Sequence, residues 1–172
     1  MDRKCKQLLA LCGSLRKQSL NRIALAAVEA MAGEYFQLEW ADPAALPLFN
    51  PDLETDLPAV VIRLLEQIEA ADGLVIASPE YAHGISGVLK NTLDWLVSSP
   101  AFYQKPVMLI NTSPRAHHAL DSTREILTTM SAQVVEEACV TLPLLGNAEI
   151  LRPDSHMKVL LSPAVEQFLE LI

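Results

Sequence analysis

The stretch Gln7-Leu8-Leu9-Ala10-Leu11-Cys12-Gly13-Ser14-Leu15-Arg16-Lys17-Gln18-Ser19-Leu20-Asn21-Arg22 changes character in its middle. Its first six residues are short, apolar and uncapped, and they end in Gly-Ser, which reads as a buried strand emerging into a loop. Beyond the loop the pattern is helical. From Asn21 to Gly33 the apolar residues Ile23, Ala27 and Met31 recur at helical spacing, with Ser19 as a plausible N-cap and Gly33 as a stop signal. Strand, loop and helix in that order make one βα unit.

The same alternation continues outward from that unit. Strand-like runs are expected at Tyr35 to Ala41, Leu74 to Ser78, Val107 to Asn111 and Gln133 to Leu142. Between them, helical spacing links Val60, Leu64 and Ile68, then Leu89, Leu93 and Leu96, then the segment from Ala119 to Ser131. A last helix is marked by Leu161, Val165, Phe168 and Ile172. Five strands alternating with five helices predict an α/β, doubly wound, five-stranded parallel sheet, since right-handed crossovers are nearly the only way to join parallel neighbours. The Pro-rich stretch from Asp42 to Pro58 is long for a connection and points to a site or an interface.

Composition narrows the function classes. At 172 residues and 51% apolar the chain can bury a full core as one domain spanning 1–172. A net charge of -8 argues against a nucleic-acid partner, which would require clustered cations. No apolar run reaches the roughly 20 residues that cross a bilayer, and no signal-peptide core succeeds Met1 to Lys6, so no membrane role and a cytoplasmic location are expected. The cysteines Cys5, Cys12 and Cys139 form no Cys-x-x-Cys pair and read as reduced core residues.

In doubly wound sheets ligands bind beyond the carboxyl ends of the strands. The loop after the first strand places hydroxyls, an amide and three cations at a helix N-terminus, where unpaired N–H groups and the helix dipole favour an anion. It lacks both the Gly-x-Gly-x-x-Gly fingerprint and the P-loop pattern, so a mononucleotide phosphate is expected. After the third strand comes Ser78-Pro79-Glu80-Tyr81-Ala82-His83-Gly84-Ile85-Ser86-Gly87. Here Pro79 fixes the path, and Gly84 and Gly87 would permit positive φ or close approach to a flat ring. Glu80 could instead cap a backbone group. Ser86 lacks the Gly-x-Ser-x-Gly spacing of a hydrolase nucleophile and sits where an N-cap would. His117-His118 are adjacent, without a third ligand at suitable spacing, so no metal site is expected.

With these segments in place the chain resembles the NADPH-dependent FMN reductase family, which includes quinone, azo-dye and chromate reductases. Residues 13 to 22 look like its phosphate loop, residues 79 to 95 like its flavin-ring loop and adjoining helix, and Leu46 to Glu54 like its connection after strand two. The resemblance implies a flavodoxin-like sheet of order 2-1-3-4-5, FMN as cofactor and NADPH or NADH as hydride donor. It also implies small-molecule electron acceptors and a homodimer or homotetramer, to which the 42–58 loop and Trp95 could contribute area, with a buried core Trp as the equal alternative for Trp95. By the same likeness Ser14, Arg16, Ser19 and Asn21 would hold the phosphate. Pro79, Glu80, Tyr81, His83 and Gly84 would line the ring and ribityl chain, and Thr112 and Ser113 would lie beside them. No catalytic acid or base is implied, since the flavin carries the chemistry.

One segment departs from the family pattern. Paired glycines usually succeed the fourth strand, whereas here the chain reads Thr112-Ser113-Pro114-Arg115-Ala116-His117-His118. Arg115 could obstruct the hydride donor or weaken flavin binding; it could also meet an anionic acceptor or the phosphate of NADPH. Two other readings therefore stand beside the reductase: a flavodoxin-like electron carrier, and a relative that has lost flavin and serves as a binding or regulatory protein.

Overall fold

A computed structural model describes residues 5–142 and 155–172. Its parallel sheet begins with β1 (Lys6–Cys12), which lies between β2 (Phe36–Trp40) and β3 (Gly73–Ala77). Next to β3 runs β6 (Pro106–Asn111), so the spatial order opens 2-1-3-6, with the reversal of strand order falling between β1 and β3. Between β3 and β6 in sequence the chain makes a separate antiparallel pair, β4 (Glu80–Tyr81) and β5 (Gly84–Ile85).

The expected fifth strand is present in two pieces. Both β7 (Gln133–Val134) and β8 (Val140–Thr141) pair in parallel with β6, with a single turn of 3-10 helix, Glu136–Ala138, between them. Arg124 meets Glu136 of this turn through a forked contact at 2.9, 3.2 and 3.0 Å. The ladder N–H of Leu109 that the break leaves without a carbonyl is taken by Cys139 Sγ at 3.4 Å. With β7 and β8 counted as one position, the order is the predicted 2-1-3-4-5 of flavodoxin-like sheets.

Period-two alternation along the strands feeds two cores, one on each face. Leu8, Ala10 and Cys12 of β1 join Val75, Ala77, Met108 and Ile110 beneath α1 (Leu20–Glu29) and α5 (Ser155–Leu171). Leu9 and Leu11 join Leu74, Ile76, Val107 and Leu109 on the other face. That face is covered by α2 (Ala59–Ala70), α3 (Gly87–Leu96) and α4 (His117–Thr129), which contribute residues such as Ile68, Leu93 and Leu127. Helix α1 stops before the expected Gly33: its last turn tightens, with Met31 N–H donating to Val28 O and Ala32 N–H to Glu29 O. Among the described residues no helix is long and apolar enough to cross a membrane.

The long connection after β2 is fastened to α3. Asn91 accepts from Phe49 N–H at 2.8 Å and donates to Pro47 O at 2.9 Å, while Trp95 Nε1 donates to the same carbonyl at 2.8 Å. Phe49 meets the Trp95 ring edge-on, with centroids 5.1 Å apart. Trp95 is therefore only 2% exposed, which decides for the core reading of this residue over the interface reading.

Candidate functional site

The ends of β1, β3 and β6 lie side by side, with Cys12 opposite Ala77 and Ala77 opposite Ile110. The three loops that leave them enclose a cleft of about 370 Å³, within the range of small-molecule sites. Ser14, Arg16, Ser19 and Asn21 reach it from the first loop and the start of α1. Pro79, Glu80 and Tyr81 form a second wall, and Thr112 and Ser113 a third. His83 and Gly84 do not line it. The His83 side chain is 79% exposed at the hairpin tip, and Gly84 is half-buried in β5.

The first wall is built for an anion. Ser19 sits at the N-cap of α1 with extended backbone, yet its hydroxyl caps none of the helix N–H groups, and no acidic residue occupies the first turn. The orphan donors of that turn thus open on the cleft with their partial positive charge uncompensated. Among the described residues no carboxylate pairs with Arg16. Ser14 Oγ accepts from Arg16 N–H at 3.4 Å, a local turn that shapes the loop.

A hydroxyl at the start of α3 holds this wall to its neighbour. Ser86 Oγ donates to Gly13 O at 2.7 Å, accepts from Leu89 N–H at 3.1 Å as the α3 cap, and contacts Ser78 Oγ at 3.2 Å. Gly13 is required at this crossing: a Cβ there would lie 2.2 Å from Ser78 Oγ and 2.7 Å from Ser78 Cβ.

The second wall turns through positive φ at Ala82 (50°) and His83 (59°), as a two-residue type I′ hairpin demands. The expectation that Gly84 supplies a positive φ is corrected by this geometry. Its φ lies outside the left-handed region, and an added Cβ would meet only Tyr81 O, at 3.6 Å. Gly87 has nothing within 4 Å of such an atom.

Glu80 performs the capping role that its sequence position allowed. Its Oε2 accepts from Ala119 N–H at 2.9 Å, satisfying an orphan donor of α4, while Oε1 faces His83 Nδ1 at 3.3 Å. The Ala119 N–H, with smaller help from the His118 and His83 imidazoles and against partial burial, holds the Glu80 carboxyl below the usual carboxylate range. A depressed folded-state value means that the tether is complete above the ordinary carboxylate range and is lost as pH falls through the lowered value. We therefore expect wild-type melting temperature to fall more steeply with acidification than that of Glu80→Gln. Parallel profiles would contradict this.

The third wall is tightly turned. Asn111 Oδ1 accepts from Ser113 N–H at 3.1 Å, and Ser113 Oγ accepts from Arg115 N–H at 3.3 Å. Buried Thr112 donates to buried Asn21 Oδ1 at 3.1 Å, so the Asn21 carbonyl oxygen joins this loop to α1. Gln18, Leu20, Ser78, Asn111 and Ala116 also line the cleft, and sequence reasoning missed them as site residues. Asn111, the one polar residue closing an otherwise apolar strand, carried the clearest signal. Arg115, marked in the sequence as a departure from the family pattern that could either obstruct the site or meet an anion, lines the cleft too.

Residues 7–144 match the family model described as NADPH-dependent FMN reductase. The chain belongs to this family. Within it, the chain is similar to a 2-hydroxy-1,4-benzoquinone reductase of Burkholderia sp, 38% identical over 111 residues, which cover 62% of this chain and 60% of that protein. An NAD(P)H-dependent FMN reductase of Pseudomonas aeruginosa is 38% identical over 110 residues, again 62% and 60% of the two chains. The chain thus spans about three fifths of the length of these curated relatives. Among solved structures, the flavoenzyme NAD(P)H:(acceptor) oxidoreductase FerB from Paracoccus denitrificans superposes with a TM-score of 0.82, covering 96% of both chains at 26% identity.

Proposed function

We propose that this chain is an NAD(P)H-dependent FMN reductase-type oxidoreductase that reduces small acceptors of the quinone class, carried by a single flavodoxin-like domain. The observation that carries the reading is the uncapped α1 N-terminus and unpaired Arg16 opening on the same cleft as the Pro79–Tyr81 wall, at the reversal of strand order. These residues fit FMN. The α1 N–H groups, Ser14, Ser19 and Arg16 would take the phosphate, and the hairpin wall, with Tyr81 59% exposed, offers an open face for a flat ring.

When bound, FMN supplies the redox chemistry, relaying a hydride equivalent from reduced nicotinamide to the acceptor. For a quinone the balance is one NAD(P)H and one proton consumed for each hydroquinone formed. The protein's own work is positioning. Ser86 locks the β1 and β3 loops together, and Thr112 and Asn21 join the third wall to α1. Glu80 fixes the hairpin to α4, so the cleft is assembled before a ligand arrives.

A cytoplasmic location and a homodimer or homotetramer belong to the same proposal. Support for assembly comes from apolar side chains left exposed beside the cleft and along the 42–58 loop and α2, among them Leu48 at 84% and Ile62 at 43%. The direct test is oxidation of NADPH by purified protein, which should require both FMN and 1,4-benzoquinone. Oxidation independent of added acceptor and oxygen, or none at all, would contradict the reading. Arg16→Ala is expected to weaken FMN binding by about 1 to 3 kcal/mol through loss of charge-assisted hydrogen bonds. An unchanged dissociation constant in an absorbance titration would reject that role.

A further inference from the structure

We infer that Arg115 selects acceptors that carry a negative charge on or beside the reducible ring, such as carboxylated or ionised hydroxyl-bearing quinones. The inference rests on the reductase reading and deepens it. Arg115 lines the cleft from the loop after β6, and its backbone is fixed by the Ser113 hydroxyl. Its guanidinium has no carboxylate partner among the described residues. The carboxylates of the hairpin wall and of the first turns of α4 make other contacts. Glu80 gives one oxygen to Ala119 N–H and the other to His83, and Asp121, one turn along α4, faces Arg124 at 3.6 Å.

The side chains next to Arg115 in sequence, Ala116, His117 and His118, include no carboxylate. His118 stacks edge-on against His83 with centroids 4.7 Å apart, and His117 lies 4.1 Å from His118. Among the described residues Glu80 is the one carboxylate lining the cleft, set against Arg16 and Arg115, so in a chain of net charge -8 the cleft is a local exception that holds a planar fork suited to two carboxylate oxygens.

Position separates Arg115 from the phosphate end. The loops bearing Arg16 and Arg115 rise from β1 and β6, on either side of β3, so their strand ends lie about 10 Å apart at the sheet. Helix α4 is tied to the hairpin wall through Glu80, which sets Arg115 beside the ring wall while α1 sets Arg16 at the anion wall. The two guanidiniums thus serve two different negative groups.

The test compares probes that differ only in charge. Benzoate and benzamide are titrated calorimetrically into the FMN-loaded protein, and 2-carboxy-1,4-benzoquinone and 1,4-benzoquinone are compared as acceptors. Wild type should bind benzoate at least about tenfold more tightly than benzamide. That ratio should collapse towards one in Arg115→Ala, recover in part in Arg115→Lys, and be matched by the ratio of KM values for the two quinones. No preference in wild type, or equal weakening of both probes, would overturn the inference. So would an FMN affinity lost in Arg115→Ala as severely as in Arg16→Ala, or a raised KM for NADPH with benzoate binding intact, which would assign the side chain to a phosphate. Should wild type fail to oxidise NADPH, the reductase reading falls, while the benzoate titration still decides the role of Arg115.

Discussion

Alanine at Gly13 is expected to lower stability by about 1 to 3 kcal/mol and to weaken FMN binding by about 10- to 100-fold. The new Cβ would fall 2.2 Å from Ser78 Oγ, 2.7 Å from Ser78 Cβ and 3.0 Å from Ser86 Oγ. No rotation of Ser78 removes a clash with its own Cβ, so the backbone of one loop must move. Ser14 and Arg16 lie directly after Gly13, and a shift of the β1 loop carries the anion wall with it. Gly87→Ala is the control. Nothing lies within 4 Å of the added atom there, and at the start of a helix alanine should be neutral or slightly stabilising. Urea unfolding and FMN titration of the two variants, side by side, check the contrast; wild-type behaviour of Gly13→Ala would contradict it.

The second large effect belongs to Ser86, which is 1% exposed. Removing its hydroxyl loses the α3 cap, at a cost of about 1 kcal/mol. It also leaves the Gly13 carbonyl without its donor, at a further 1 to 3 kcal/mol or so. Ser86→Ala should therefore unfold about 2 to 4 kcal/mol more easily in urea. Ser86→Thr, which keeps the hydroxyl, should recover part of the loss. A stability change in Ser86→Ala below about 0.5 kcal/mol would show that the crossing of the two loops is held by other contacts.

Much of the fold was legible because parallel strands buried on both faces are written as apolar runs, and each surface helix as a stripe at helical spacing. The run from Leu8 to Cys12 and the stripe through Leu64 and Ile68 are examples, and both are buried where expected. The break between β7 and β8 was not legible. It coincides with a contact of Arg124 with Glu136 across twelve residues, which no local pattern encodes. The β4–β5 hairpin was hidden for a different reason. Its positive φ values fall on Ala82 and His83, residues that do not advertise a turn, while Gly84 beside them drew attention to the wrong position.

At the site, the phosphate-loop residues could be picked out because hydroxyls and cations at a helix start have a direct electrostatic meaning, and the structure sets them around one cleft. His83 was chosen by resemblance, and at the hairpin tip it meets Glu80 and His118, contacts that the sequence did not signal. The N-cap role of Ser86 was legible in the sequence, whereas its bond to Gly13 O and that of Asn21 to Thr112 emerged only from contacts between distant loops, 73 and 91 residues apart in sequence.

This cleft is expected to hold FMN in a form that NADPH can reduce. The most direct measurement is a visible absorbance titration of the purified protein with FMN, then with NADPH in the same cuvette under exclusion of air. The account predicts saturable binding with a perturbed flavin spectrum, then bleaching of the flavin band by a stoichiometric amount of NADPH. Absence of binding at saturating FMN, or bound flavin that NADPH leaves oxidised, would contradict it.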